Sequence, residues 1–382
     1  MKYVSAMALC LSLLPVGVAP AADSLNVRLV GECHMPEETR GVTVRGDYAY
    51  VACQFGLRVV SIADPSHPTE VGFCDGLGCA FNVVVTEDVA YLAAYDLRTV
   101  SVAAPANPIE VGFCDSLGEA TSLDLSGDYA YVADDAGNRL WVISVADPRF
   151  PVTVGHCSLP AGPSDVAITG SYVYVADRRG GLRIISVSDP VNPVEVGACD
   201  LLSGAYGIAV LGSYAYIADD DSGLMVVSVA DPAHPFEVGS CVLPGEASDV
   251  AVHGTHAYVA DNYAGLRVLS VDDPAHPVEV GYYVTNSAHG VCVSDGHVYL
   301  ADFWGSFQVL EFYSAGVEET PSADLQTPMS GPMILSGASG VKRLASSIVF
   351  DAMGRRVVNP RSGVYFVREA QAQAIRKVII TR

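Results

Sequence analysis

Seven residue pairs occupy one recurring place in this chain without repeating one another: Arg40-Gly41, Phe81-Asn82, Thr121-Ser122, Ser164-Asp165, Tyr206-Gly207, Ser248-Asp249 and His289-Gly290. Elsewhere the recurring units are nearly alike, so variation here singles the position out. Arg40, Asp165, Tyr206, Asp249 and His289 form a mixed polar set and are the candidate ligand-binding residues. Carboxylates and an imidazole could also carry proton transfer in a lyase or hydrolase, whereas arginine, tyrosine and the nearby Phe303-Trp304 pair suit contact with a partner. Neither Gly-x-Ser-x-Gly nor a Ser/His/Asp arrangement is legible, so no catalytic residue is assigned.

Other residue types that could do chemistry recur too regularly to mark a site. Asp134, Asp177, Asp219, Asp261 and Asp302 each follow Tyr-x-Ala, five times in seven units, and could ring a cation. At a strand end, aspartate more often bonds the backbone of its own turn, and repetition at one structural position favours that role. Asp219-Asp220-Asp221-Ser222-Gly223 lacks the spacing and the distal glutamate of a calcium loop. Cys33, Cys74, Cys114, Cys157, Cys199 and Cys241 fall once per unit, too far apart for disulfides with each other, and read as small buried hydrophobes. Cys53, Cys79 and Cys292 are additional, and no Cys-x-x-Cys or His/Cys zinc spacing occurs. His67, His234 and His276 sit in Asp-Pro-x-His-Pro turns, exposed and structural. No metal and no cofactor are expected.

The elements that position these residues follow from the period. Tyr50, Tyr91, Tyr131, Tyr174, Tyr216, Tyr258 and Tyr299 are spaced 41, 40, 43, 42, 42 and 41 residues apart. Residues 205–241 show one unit. Ala-Tyr-Gly-Ile-Ala-Val, Ser-Tyr-Ala-Tyr-Ile-Ala-Asp, Gly-Leu-Met-Val-Val-Ser-Val-Ala-Asp-Pro and Pro-Phe-Glu-Val-Gly-Ser-Cys are short β-prone runs divided by Gly, Asp or Pro. Four strands in about 42 residues make one propeller blade. Asp-Pro-x-x-Pro after the third strand (Asp64, Asp147, Asp189, Asp231, Asp273) must be a turn, because proline cannot donate to a ladder. The seventh unit ends at Glu311-Phe312-Tyr313 with no fourth strand. Val27-Arg28-Leu29-Val30-Gly31-Glu32-Cys33 at the other end supplies it, which predicts an all-β, seven-bladed propeller over 25–313 closed by the N-terminal strand. In such a ring the variable pairs face the mouth of the central channel.

The punctuation Leu182-Arg183-Ile184-Ile185-Ser186-Val187-Ser188-Asp189-Pro190 and Leu224-Met225-Val226-Val227-Ser228-Val229-Ala230-Asp231-Pro232, with the preceding Tyr-Val-Ala-Asp turns, resembles the LVIVD repeat. That resemblance implies an exported bacterial or archaeal β-propeller and implies no catalytic residues.

Residues 1–22 read as a secretory signal: Lys2, an apolar stretch from Val4 to Val18, then Ala19-Pro20-Ala21. No stretch of the mature chain has transmembrane length. The net charge of −22 is uneven: from Val341 on there are nine basic and two acidic residues, leaving 12 basic and 41 acidic before it. So acidic a body repels phosphate backbones, and nucleic acid is not an expected partner. Residues 314–340 have linker composition, and 341–382 read as a small C-terminal β-sandwich. Phe350-Asp351-Ala352-Met353-Gly354-Arg355-Arg356-Val357, Gly363-Val364-Tyr365-Phe366-Val367-Arg368 and Lys377-Val378-Ile379-Ile380-Thr381-Arg382 resemble the C-terminal sorting domain of the type IX secretion system, with a shortened connection from Val358 to Gly363. That resemblance implies the secretion machinery as a partner and a secreted or cell-surface bacterial protein. The reading as a whole is a binding or scaffold module for a protein or glycan, with an extracellular lyase or hydrolase at the channel mouth as the alternative.

Overall fold

The computed structural model describes residues 24–201 and 204–313 in full, together with the backbone of four strands between 333 and 381. The signal segment 1–22 lies outside the described residues. The chain divides after Val317 into two compact units.

The first unit is the ring. In blade 5 the strands are Ala205–Leu211, Tyr214–Asp219, Gly223–Ser228 and Phe236–Cys241, joined in antiparallel order. Ala209 faces Tyr216, Tyr216 faces Val226, and Val226 faces Gly239 across the ladder. Blades 1 to 4 and 6 repeat this pattern of consecutive hairpins. The second strand is buried along nearly its whole length because a neighbouring blade covers each face. Side chains alternate across a strand, so Tyr174 and Ala176 pack toward blade 5 while Val173 and Val175 pack toward blade 3. The period-two pattern Tyr-x-Ala thus builds one apolar cluster per blade interface, seven in all. Tyrosine fills the wide part of each interface and alanine admits the neighbouring sheet.

Closure is as the split repeat requires. Val27–His34 pairs with Ser306–Phe312, with Val27 opposite Phe312, Leu29 opposite Leu310 and Cys33 opposite Phe307. Tyr299, Phe307 and Val309 of blade 7 then share a core with Ala49, Val51, Cys53 and Val60 of blade 1. No blade interface is left open to pair with another chain.

The Asp-Pro turn has a second use. In blade 4, a side chain at Gly197 would collide with the carbonyl of Pro232 in the next blade's turn, and Gly112 stands in the same relation to Pro148. Glycine is required there by close approach, and each turn locks onto the blade before it. Blade 7 lacks that turn because its fourth strand comes from the other end. The segment Ser24–Leu25 takes its place: it pairs with the outer strand Val278–Tyr283 of blade 6, and the Leu25 carbonyl packs against Gly281.

Two local expectations are refined. The fourth-strand cysteines, apart from buried Cys114, are half-buried rather than sealed in the core, and all nine described cysteines are free. Burial raises the thiol pKa of Cys33, Cys74, Cys157, Cys199 and Cys241, which keeps them protonated and unreactive. The turn histidines bond their aspartates at 3.0, 2.9 and 2.9 Å, in the pairs His67–Asp64, His234–Asp231 and His276–Asp273, as local turns do.

In the second unit the described strands form one sheet in the order Met333–Ser336, Ile375–Thr381, Gly363–Arg368, Ile348–Phe350, the first pair parallel. Met333–Ser336 falls within the stretch of linker composition. A second sheet, which a sandwich needs, is not present among the described residues.

Candidate functional site

Two kinds of connection share one face of the ring, here called the upper face: the turns between second and third strands, and the loops leading from one blade to the inner strand of the next. The recurrent aspartates tie these together from below. Asp134, Asp177, Asp219, Asp261 and Asp302 are all buried. Asp134 accepts from Gly137 N–H in its own turn, as expected, but also from Glu119 N–H in the preceding loop and from the Trp141 indole. Asp177, Asp219, Asp261 and Asp302 likewise accept from N–H groups of the preceding loop: Ala161, Gly204, Gly245, and Asn286 with Ser287. Local sequence suggested a turn cap; the structure shows a brace between turn and inter-blade loop. Among the described residues no three His, Cys, Asp or Glu side chains gather to hold a metal ion.

The five variable polar residues separate into three groups. Asp165, on the inner strand Pro163–Thr169 of blade 4, accepts from Ser122 Oγ (2.5 Å) of blade 3, from Ile208 N–H (2.7 Å) of blade 5 and from Val166 N–H. Asp249, on Asp249–His253 of blade 6, accepts from Val291 N–H (2.8 Å) of blade 7 and from Val250 N–H. Asp124 makes the same reach from blade 3 to Ile168 N–H of blade 4. These carboxylates staple neighbouring inner strands around the channel. They touch water in the channel, yet protein encloses them on every other side, and burial raises their pKa values. The charge of Asp165 raises Asp249 further, and that of Asp124 raises Asp165.

Tyr206 stands apart. Its ring lies under Arg178 of blade 4 at 5.5 Å, and Arg178 pairs with Asp135 at 3.0 Å.

Arg40 and His289 come together through residues the variable set did not include. The Arg40 guanidinium lies 5.0 Å from the Phe81 ring and 5.0 Å from the Phe303 ring. His289 stacks on the other ring neighbour, Phe303, at 4.7 Å. Phe81 meets Tyr95 edge-on at 5.6 Å, and Phe303 meets Trp304 edge-on at 5.4 Å. The result is a continuous ladder, Trp304–Phe303–Arg40–Phe81–Tyr95, across blades 7, 1 and 2. Burial, and then the charge of Arg40, hold the His289 imidazole down to about 4, so it is a neutral stacking partner at physiological pH.

The ladder belongs to a wider arc. At the turns of blades 6, 7, 1 and 2, which adjoin around the closed ring, Tyr263, Trp304, Phe55 and Tyr95 are 66%, 62%, 55% and 47% exposed. Blades 3, 4 and 5 present Asp135, Arg178, Arg179, Asp220 and Asp221 at the corresponding turns. Tyr95 adopts φ +63°, a left-handed conformation shared at the same turn position by Asp220 and Asn262. Asn and Asp enter that region readily, whereas for a ring-bearing residue it costs about 1–2 kcal/mol. The Phe55 turn is held by Glu37, whose carboxylate accepts Phe55 N–H (2.9 Å) while pairing with buried Arg58. Phe55, Tyr95 and Tyr263 escaped the sequence reading; aligning the seven turns two or three residues beyond Tyr-x-Ala would have found them.

Matching against known families identifies the LVIVD repeat in seven stretches, residues 37–76, 77–116, 117–158, 163–201, 204–242, 244–285 and 286–311, well over half of the chain. No curated protein matches the sequence. Among solved structures, the crystal structure of the computationally designed Ika8 protein superposes with a TM-score of 0.57 at 8% identity, covering 74% of this chain and 98% of that one. At that identity the likeness is one of fold.

Proposed function

This chain belongs to the LVIVD repeat family, and we propose that it is an exported binding module that grips a macromolecular partner with the upper face of its propeller. The observation that carries this reading is the arc of exposed rings on four adjoining blades. Exposed rings gathered on adjoining blades of one face mark a contact surface, and aromatic anchors dominate the energetics of recognition surfaces. The arc breaks the repeat, as the inner-strand entries do: four turns carry rings where three carry charges.

The alternative, an extracellular lyase or hydrolase at the channel mouth, asks Asp165 and Asp249 for acid–base work. Each of them already engages both oxygens with backbone or hydroxyl donors of neighbouring inner strands, a structural task that favours the binding reading. The signal-like residues 1–22 and the resemblance of residues 341–382 to a type IX sorting domain support a reading in which the chain is exported, with the secretion machinery as a partner and the cell surface or the medium as its destination.

The test is binding of the labelled full-length chain to isolated envelopes of the producing cells. The triple variant Tyr95→Ala, Tyr263→Ala, Trp304→Ala should fold, since all three rings are exposed, and should lose binding. Equal binding by the triple variant and the parent would remove the upper face as the site.

A further inference from the structure

Resting on the reading of the upper face as the binding surface, we infer that its ligand is an uncharged glycan, held by stacking of sugar rings on the aromatic arc. The argument is one of charge and shape together. Although the body of the protein is strongly acidic, the charges within the arc are spent internally. Arg40 pairs with Glu38 at 3.1 Å, Arg98 with Asp96 at 3.0 Å, Arg58 with Glu37, and Glu246 accepts from the Asn262 amide at 3.1 Å. An anionic polymer would meet no cation that lacks a carboxylate, and would cross an acidic surface to reach it. A basic peptide would be steered instead toward the turn of blade 5, where Asp220 and Asp221 stand together.

What the arc offers is flat apolar faces beside planar hydrogen-bonding groups. Gln54 precedes Phe55 along the chain, while Asp96 beside Tyr95 pairs with Arg98, and Asn262 beside Tyr263 donates to Glu246 and accepts from Ser287 Oγ at 2.8 Å, so those two present only their remaining oxygen lone pairs. A pyranose ring has the matching character, with an axial C–H face to lay on an aromatic ring and equatorial hydroxyls at its rim for amides and carboxylates. Neighbouring blades pack as sheets roughly 10 Å apart, so an extended chain of several sugars could engage successive blades.

Envelopes are split into three portions: one treated with protease, one with periodate to cleave vicinal diols, one untouched and assayed at low and high salt. Binding should survive protease, be destroyed by periodate, and be indifferent to salt. Trp304→Ala and Tyr263→Ala should each weaken it by about tenfold or more, while Phe113→Ala on the outer rim leaves it unchanged. Binding that protease strips, or that high salt abolishes, overturns the glycan assignment while leaving the upper face as the site. Binding that the triple variant retains overturns the site itself.

Discussion

Replacing Asp249 separates a staple from a site. Its carboxylate holds Val291 N–H of blade 7 at 2.8 Å and Val250 N–H at 2.7 Å. Hydrogen bonds to a charged acceptor contribute about 1.5–3 kcal/mol each. Against this stands the cost of burying the carboxylate, which its raised pKa reports. Asp249→Ala should therefore destabilise the propeller by about 2–4 kcal/mol, a fall in Tm of about 3–7 °C for a unit of this size. Asp249→Asn keeps one accepting oxygen and removes repulsion from Asp165, so its loss should be smaller, about 0–2 kcal/mol. Thermal and urea unfolding at pH 8 would rank parent, Asn and Ala in that order. Envelope binding measured well below the lowest Tm should be the same for all three. An Ala variant that melts with the parent but no longer binds would refute the staple and return Asp249 to the list of ligand-binding residues.

Two further outcomes follow from the brace and the turn. Asp261 is fully buried, accepts from Gly245 N–H at 3.0 Å, lies 3.6 Å from Arg267 Nε, and keeps Oδ1 without a partner. Burial raises its pKa to about 6, against the opposing pull of Gly245 N–H and Arg267. The fold thus favours the protonated acid; its contribution is full below about pH 4, falls as pH rises through about 6, and is gone above that. In Asp261→Asn this dependence disappears, so stability of the variant relative to the parent should climb by about 1–3 kcal/mol between pH 4 and 7.5; a flat difference would mean that Asp261 is ionised throughout. At Gly197 the added methyl of Gly197→Ala meets the Pro232 carbonyl, and urea unfolding should show a loss of about 1–3 kcal/mol, where Gly170→Ala, with open space around it but φ +62°, should lose about 1 kcal/mol.

The parts legible from sequence are those that one unit contains within itself. The Asp-Pro turn depends on residues within about ten positions, the tyrosine period on one unit repeating seven times, and the split seventh blade on one unit missing what six others have. Asp165 shows why the rest was hidden. Its partners Ser122 and Ile208 lie 43 residues away in each direction, and which N–H an inner strand presents to its neighbour is fixed by the rotation between blades. A polar residue at a channel wall reads the same in sequence whether it faces ligand or neighbour. The arc was hidden for a related reason: Trp304 and Phe55 are 249 residues apart in the sequence and become neighbours only when the ring closes.

Closure therefore does more than protect edges. The ladder runs from Trp304 and Phe303 in blade 7 through Arg40 in blade 1 to Phe81 and Tyr95 in blade 2, so it crosses the seam where the two ends of the repeat array meet. The seam is held by the ladder of Val27–His34 on Ser306–Phe312 and by Ser24–Leu25 standing in for the missing turn. Any slip in that pairing would move Phe303 away from Arg40 and divide the arc, whereas the charged turns of blades 3 to 5 would keep their places. Placing the candidate surface over the seam makes an intact ring a condition for binding. A propeller opened at its N-terminal strand would lose the binding surface before it lost most of its blades.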